Sequence, residues 1–487
     1  MPFILQTRNS CKELRLRRSF LCTWDGHQRE NGGLKVCVAL QGVSSLAAKP
    51  NREDAGSVTK RTLCMALAAL VLLMPFGKYG QGKGKEGKVS GAHGATGTIA
   101  FALSESDCPP RGMMRPCYSR SNIRLINSDG SGSQPLTRIN VFQVGSGDPA
   151  WSPDGTHIAF SSNCAGQDVP PEALYSEVVA ASNVWIMKAD GTEARQLTEF
   201  VEPLGGRGPV WSPNGRKLAF MSNALLNGGE AKPKGNGSNI WVMNEDGTGA
   251  SPLTRITRDV YGTGAVRTGA IAWSPDGRKF AFVSTRVLDG SNAPNKNEIE
   301  NVWVMNADGS NLMPLTKLTA ANTYVSEPVV WSPDSRKLAF SWHRALDSSD
   351  AVEPVSPSNI WVANADGSGL KPLTRITDKF ASASEADWSP DGLRLIFVSK
   401  GNVWVMNADG SGAKPLTNLP ARSTPGSPVW SPDGTKIAFV YNDFVESTDK
   451  HQRTASNIWV VDADGSGAAP VTHWQSGQII GRLAWRP

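Results

Sequence analysis

One phrase of residues recurs through most of the chain, and it leaves few folds open. Its cleanest copy runs from Trp430 to Thr472, opening WSPDGTKIAF (Trp430 to Phe439), continuing SNIWVVDADGSG (Ser456 to Gly467) and closing PVT (Pro470 to Thr472). Pro432 presets φ for a tight turn, Asp433 follows it, and Gly434 supplies the positive φ that closes it. IAFV and NIWVV are apolar runs long enough for strands and too short for helices. Ala463-Asp464-Gly465 carries an Asp-Gly hairpin signal. With Ser427-Pro428-Val429 before Trp430 and Pro470-Val471-Thr472 at the close, one copy predicts four antiparallel strands. Both inner runs are apolar at consecutive positions, which suits strands covered on both faces. A lone four-stranded sheet cannot cover itself, so neighbouring copies must sandwich it.

The copies can be counted. The WSP-type opening recurs at Trp151, Trp211, Trp273, Trp331, Trp388 and Trp430, and the NIW-type strand at Asn122, Asn183, Asn239, Asn301, Asn359, Asn402 and Asn457. The first copy, starting at Gly97-Thr98-Ile99-Ala100-Phe101, has no WSP strand before it. The chain ends in GRLAWRP (Gly481 to Pro487), a WSP-like strand with nothing after it. Each end lacks what the other has, and closing the ring removes exposed strand edges. The expected fold is an all-β, seven-bladed β-propeller of four-stranded antiparallel blades spanning residues 98–487, with the C-terminal strand completing the first blade.

WSPDGxxIAF followed by NIWVMNADGSGxxxLT resembles the WD-type β-propeller repeats of the TolB-like family, over about four fifths of the chain. The resemblance implies the propeller fold and an extracytoplasmic setting. It implies no Tol-Pal role, because the small α/β domain that precedes the family's propeller finds no room here.

The front end differs from the body. Residues 1–97 hold 15 Lys/Arg against 6 Asp/Glu, whereas residues 98–487 hold 35 against 38. The basic balance therefore belongs to the leader, and the body carries no bulk electrostatic case for nucleic acid. Residues 1–61 read as a basic leader, disordered or outside the mature protein. Residues 62–76, with the run Leu63 to Phe76, read as a signal-peptide or anchor segment. Residues 77–97 read as a Gly/Lys-rich linker. Cys108 and Cys117 bracket one loop, leaving a disulfide and two free thiols both open.

Strand alternation puts the WSPDG and NADGSG turns on one face and the longer, varied connections on the other, a usual place for a binding surface. Blade six is the exception, with only Ser399-Lys400-Gly401 between its inner strands. The first strands should line the channel mouth with Asp148, Arg207, Arg267, Glu327, Glu385, Ser427 and Arg482. Trp342 and Trp474 lie outside the repeat frame, and Trp342-His343-Arg344 is read as a polar-aromatic cluster in the loop after strand 2. The candidate binding residues are thus Asp148, Arg207, Arg267, Glu327, Trp342, His343, Glu385 and Arg482. No catalytic residue, cofactor or metal is expected. The NADGSG turns lack the downstream acidic ligand of a calcium loop, and no GxSxG elbow occurs.

These readings favour an exported, non-enzymatic, monomeric propeller that binds a protein, peptide or glycan through its long-loop face. Two alternatives stand beside it. One is a polysaccharide lyase or hydrolase acting at the mouth near His343, Glu327 and Glu385. The other is a cell-envelope scaffold held by an uncleaved segment 62–76.

Overall fold

In the computed structural model, the described residues are 97–107, 118–139, 145–163, 181–201, 205–224, 239–255, 271–286, 288, 299–319, 325–343, 346, 357–378, 381–420, 424–445, 453–474 and 478–487. They form seven four-stranded antiparallel sheets, the blades of a β-propeller. Blade 1 is closed as the sequence predicts: Gln478–Trp485 pairs with Thr98–Asp107, followed by Tyr118–Asn127 and Gln134–Pro135. The closing strand begins three residues earlier than the repeat frame suggests. The leader, the linker and the Cys108/Cys117 loop lie outside the described residues.

The inner strands of each blade are buried on both faces. Lys337–Trp342 of blade 5 is exposed only at its first residue, and Phe340 stands opposite Trp361 of the next strand. Elsewhere the same pair stacks, as Phe160 on Trp185 and Phe397 on Trp404, with ring centroids 6.3 and 6.2 Å apart. The cores lie between adjacent sheets: one cluster joins Ala281 and Val304 of blade 4 to Trp331, Leu338 and Trp361 of blade 5. Burial on this scale is the main favourable term in the fold.

Frame residues that look like spacing markers carry hydrogen bonds. Asn301, at the head of strand 3, accepts from the Thr316 hydroxyl and from the Leu318 amide, both at 2.8 Å. Thr316 Oγ1 in turn accepts the Val302 N–H at 2.9 Å. The Leu-Thr ending is therefore tied to strand 3 by side chains, which is why strand 4 needs only two ladder residues, Met313–Pro314.

The WSPDG turn is held by its own side chains. The Ser431 hydroxyl donates to Asp433 at 2.6 Å and accepts the Lys436 N–H at 2.9 Å, while the Thr435 N–H donates to Asp433 at 3.0 Å. In the second turn the connection is longer than a two-residue hairpin. Asn306 N–H donates to Ser310 O at 2.8 Å, and Asp308 caps the Ser310 N–H at 2.9 Å. The glycine of this turn is required by the neighbouring blade as well: Gly410 has φ +93, and a Cβ there would lie 2.9 Å from the Leu373 carbonyl oxygen.

Tryptophans stitch the blades together in one direction. The indole N–H groups of Trp151, Trp211, Trp331 and Trp485 each donate, at 3.1 Å, to the carbonyl just before the equivalent Trp of the preceding blade: Ala484, Ala150, Ala272 and Val429. The last of these joins blade 7 to the closing strand.

Candidate functional site

The first strand of each blade faces the centre of the ring. Residues of these strands in blades 1 to 6 wall one cavity of about 380 Å³. Numbering each strand back from its Trp shows how the wall is built. The third residue before the Trp has positive φ in four blades: Asp148 (φ 55), Gly208 (φ 61), Glu385 (φ 56) and Ser427 (φ 49). The pairing register of strands 1 and 2 shifts around these residues, between Gly147 and Ala150, Arg207 and Val210, Ser384 and Asp387, and Gly426 and Val429. This is a β-bulge, which bends a strand and re-aims a side chain.

The bulge residues also join blade to blade. Ser161 donates to Asp148 Oδ2 at 3.2 Å and accepts the Gly208 N–H of blade 3 at 2.9 Å. Ser341 of blade 5 accepts the Glu385 N–H at 3.1 Å. Glu385 Oε2 accepts the Ser427 N–H of blade 7. Asp387, one residue before Trp388, accepts the Trp430 N–H at 3.2 Å.

The cavity has two sectors. Asp148, Asp387 and Arg482 form the charged one, and Pro209, Val210, Ile271, Trp273, Val329 and Trp331 form much of the apolar one. Glu385 sits half-buried beside the charged sector. Burial pushes the Asp387 carboxyl up from 3.8 to about 6, against the opposing pull of the Trp430 N–H and the Arg482 charge. Burial also raises the Glu385 carboxyl, again opposed by a backbone N–H, that of Ser427, and by Arg482. Among the described residues, the Arg482 guanidinium makes no hydrogen bond or close ion pair.

Of the residues singled out from the repeat frame, Asp148 and Arg482 line the cavity and Glu385 lies near Arg482. Arg207 sits one residue further from its Trp, is exposed, and is not in the cavity wall. Glu327 occupies the corresponding place in blade 5, four residues before Trp331. Arg267 and His451 lie outside the described residues. The placement of Trp342 needs correction. It is the last residue of strand 2, not part of a loop, and is 0 % exposed. Its ring meets Trp361 edge-on at 5.1 Å, so it packs the core and offers no face to a ligand. His343 follows it and is half-buried; His473 is exposed. Trp474 also packs inward, 5.3 Å from Phe101.

Asp387 is the residue the repeat reading missed. A signal was present: the position before the Trp reads Ala150, Val210, Ala272, Val330, Val429 and Ala484 in the other blades. A carboxylate in that apolar column departs from the frame. Among the described residues, no group of three or more His, Cys, Asp or Glu is placed to hold a metal ion.

No protein-family model matches the chain. A stretch of 98 residues, 20% of the chain, is 36% identical to the uncharacterized peptidase YuxL of Bacillus subtilis, covering 12% of that protein. A stretch of 106 residues, 22% of the chain, is 31% identical to the Tol-Pal system protein TolB of Anaeromyxobacter sp., covering 18% of it. The chain thus spans less than a fifth of each of these relatives. Among solved structures, an oligogalacturonate lyase from Vibrio parahaemolyticus superposes with a TM-score of 0.46 at 15% identity, covering 77% of this chain and 86% of that one.

Proposed function

We propose that this chain is an extracytoplasmic binding propeller that receives a segment of a partner protein or peptide at its central channel, between the long connections of the rim. The observation that carries the reading is the two-sided cavity. It has the volume of a small-ligand site, a mostly apolar wall and a few fixed charged groups, the usual make-up of a recognition pocket. The Glu385 and Asp387 carboxylates are held by blade-to-blade hydrogen bonds, so they are set before any partner arrives, which lowers the cost of binding. The likeness of one segment to TolB, a Tol-Pal system protein, supports the extracytoplasmic setting.

The test is a peptide-display selection against the full chain, repeated with Ala150→Phe, which puts a ring into the cavity wall. Peptides that enrich on the parent and are lost on the variant, with the melting temperature unchanged, support the reading. If nothing enriches, or the variant retains the same peptides, the channel is not the receiving site.

A second reading is acid–base chemistry at the channel. Its specific support is Asp387, whose carboxyl titrates near the range where a general acid or base works best. Turnover of a polysaccharide fragment by the parent, abolished by Asp387→Asn, would favour it over binding alone.

A further inference from the structure

We infer that the joint between blades 6 and 7 is a pH-sensitive joint of the ring: the Glu385 and Asp387 side chains clasp the first strand of blade 7 when neutral and release it when charged. This goes beyond the reading of the channel as a receiving site and does not depend on it.

Three observations lead to it. The first is how the joint is bonded. The bulge amide of Gly208 is held by the Ser161 hydroxyl of blade 2, and that of Glu385 by the Ser341 hydroxyl of blade 5. Val398 stands at the same register in blade 6, opposite the last residue before the bulge. It cannot accept a hydrogen bond, and the Ser427 N–H of blade 7 goes to the Glu385 carboxylate instead. The Trp430 N–H goes to Asp387. The second is a missing stitch. Among the described residues, the buried indole N–H of Trp430 has no acceptor, nor has that of Trp388 on the other side of blade 6. Those of Trp151, Trp211, Trp331 and Trp485 all bond to the preceding blade. The third is the direction of the charge effect. Burial raises both carboxyls, Asp387 to about 6, against the pull of backbone N–H groups (Ser427 on Glu385, Trp430 and Trp388 on Asp387) and of Arg482. A buried carboxylate loses its hydration and regains it when the joint opens, whereas the neutral acid keeps a carbonyl oxygen for the N–H. Ionisation therefore favours the open joint and protonation the closed one.

The strands packed around Asp387 carry Glu385, Arg482, Arg394, Lys337 and Glu327, with Asp148 across the cavity, and Thr424–Trp430 itself carries no charge. Of these, Arg482 acts on both carboxyls. Arg394 lies over the Trp430 ring at 4.8 Å and stays charged throughout. Val403 and Val405 of blade 6 share one apolar cluster with Ile437 and Phe439 of blade 7, which charge does not alter, so release is confined to the inner strand.

The experiment follows hydrogen exchange of the full chain by mass spectrometry from pH 5 to pH 8, corrected for the intrinsic pH dependence of amide exchange. Protection in Thr424–Trp430 should fall at least about tenfold over that range, while Gly206–Trp211, whose bulge amide rests on a hydroxyl, stays constant within about twofold. Glu385→Gln with Asp387→Asn keeps both acceptors and removes both charges, so it should hold the strand at its pH 5 protection throughout. Val398→Ser, which gives Ser427 the kind of acceptor used in blades 2 and 5, should recover most of the protection lost at pH 8. Protection of Thr424–Trp430 that is independent of pH, a fall shared equally by the two strands, or a fall that persists in the doubly substituted chain would overturn the inference. Should the double variant not fold, Val398→Ser decides: recovery at pH 8 upholds the inference and a parent-like fall overturns it.

Discussion

The carboxylate of Asp387 accepts the backbone N–H of Trp430 at 3.2 Å, so a residue in the channel wall of blade 6 helps hold the start of the next blade's turn. The same carboxyl is raised to about 6. It binds its proton more tightly in the folded chain than unfolded, so it favours the folded state below pH 4 relative to neutral pH, and that advantage is lost as the pH rises through 6. A rise from 3.8 to about 6 corresponds to roughly 3 kcal/mol as an upper figure. Asp387→Asn should therefore raise the melting temperature relative to the parent at pH 7.5, with the gap closing by pH 4. Thermal melts of both proteins across that range measure it, and a pH-independent gap would show that desolvation of the carboxylate is not the cause. Asp387→Leu should instead destabilise, because it leaves the Trp430 N–H unpaired.

The turn carboxylates act in the opposite direction. Asp433 is held below its ordinary value by the Ser431 hydroxyl and the Thr435 N–H, and Asp154 likewise by Ser152 and Thr156. These groups bind protons more weakly when folded, so their contribution is present at neutral pH and disappears as the pH falls below about 4 through the lowered values. Replacing Asp154 and Asp433 together by Asn should lower stability at pH 7 and flatten the acid limb of a melting-temperature profile. An acid limb as steep as the parent's would contradict this.

Two turn glycines, both at positive φ, should respond differently to alanine. Gly410→Ala meets the Leu373 carbonyl oxygen at 2.9 Å, whereas Gly434→Ala meets only the Pro390 ring at 3.6 Å. Both pay for a positive φ, about 1 kcal/mol. Only the first must also push two blades apart, so it should lose about 1–2 kcal/mol more in a denaturant titration.

Thr316→Val is nearly isosteric but removes a hydroxyl that both accepts from Val302 and donates to Asn301. Two buried groups lose a partner, and the cost should be about 2–3 kcal/mol. Thr316→Ser keeps the hydroxyl and should recover most of it. If valine and serine are equally tolerated in chemical denaturation, the strand 3–strand 4 tie is not energetically significant.

The blades were readable because turn chemistry, apolar runs and spacing all repeat in step. Closure was readable because the two ends carry complementary fragments. The site was less so, for local reasons. Trp342 takes the place that Ser162, Ser222, Ser284 and Ser399 hold in other blades. Strand 2 runs two residues beyond its IAF-type core, there as in those blades, so an aromatic that looked like a loop residue is interior. Positive φ at Asp148, Glu385 and Ser427 carried no glycine to announce it, so the bulge that separates Arg207 from the other mouth residues was hidden. Asp387 was visible as a departure from an apolar column, but only once the columns are compared by position, not by residue type.

The closing strand also sets an order of events. Glu105 waits for Gln478, 373 positions further along the chain. At ordinary rates of translation the interval is roughly 20–75 s. Throughout it, the inner hydrogen-bonding edge of Thr98–Asp107 has no native strand to pair with, the condition under which a β-edge recruits a wrong neighbour. The first sheet thus stays incomplete from the making of Thr98–Asp107 until Gln478–Trp485 arrives to cover that edge.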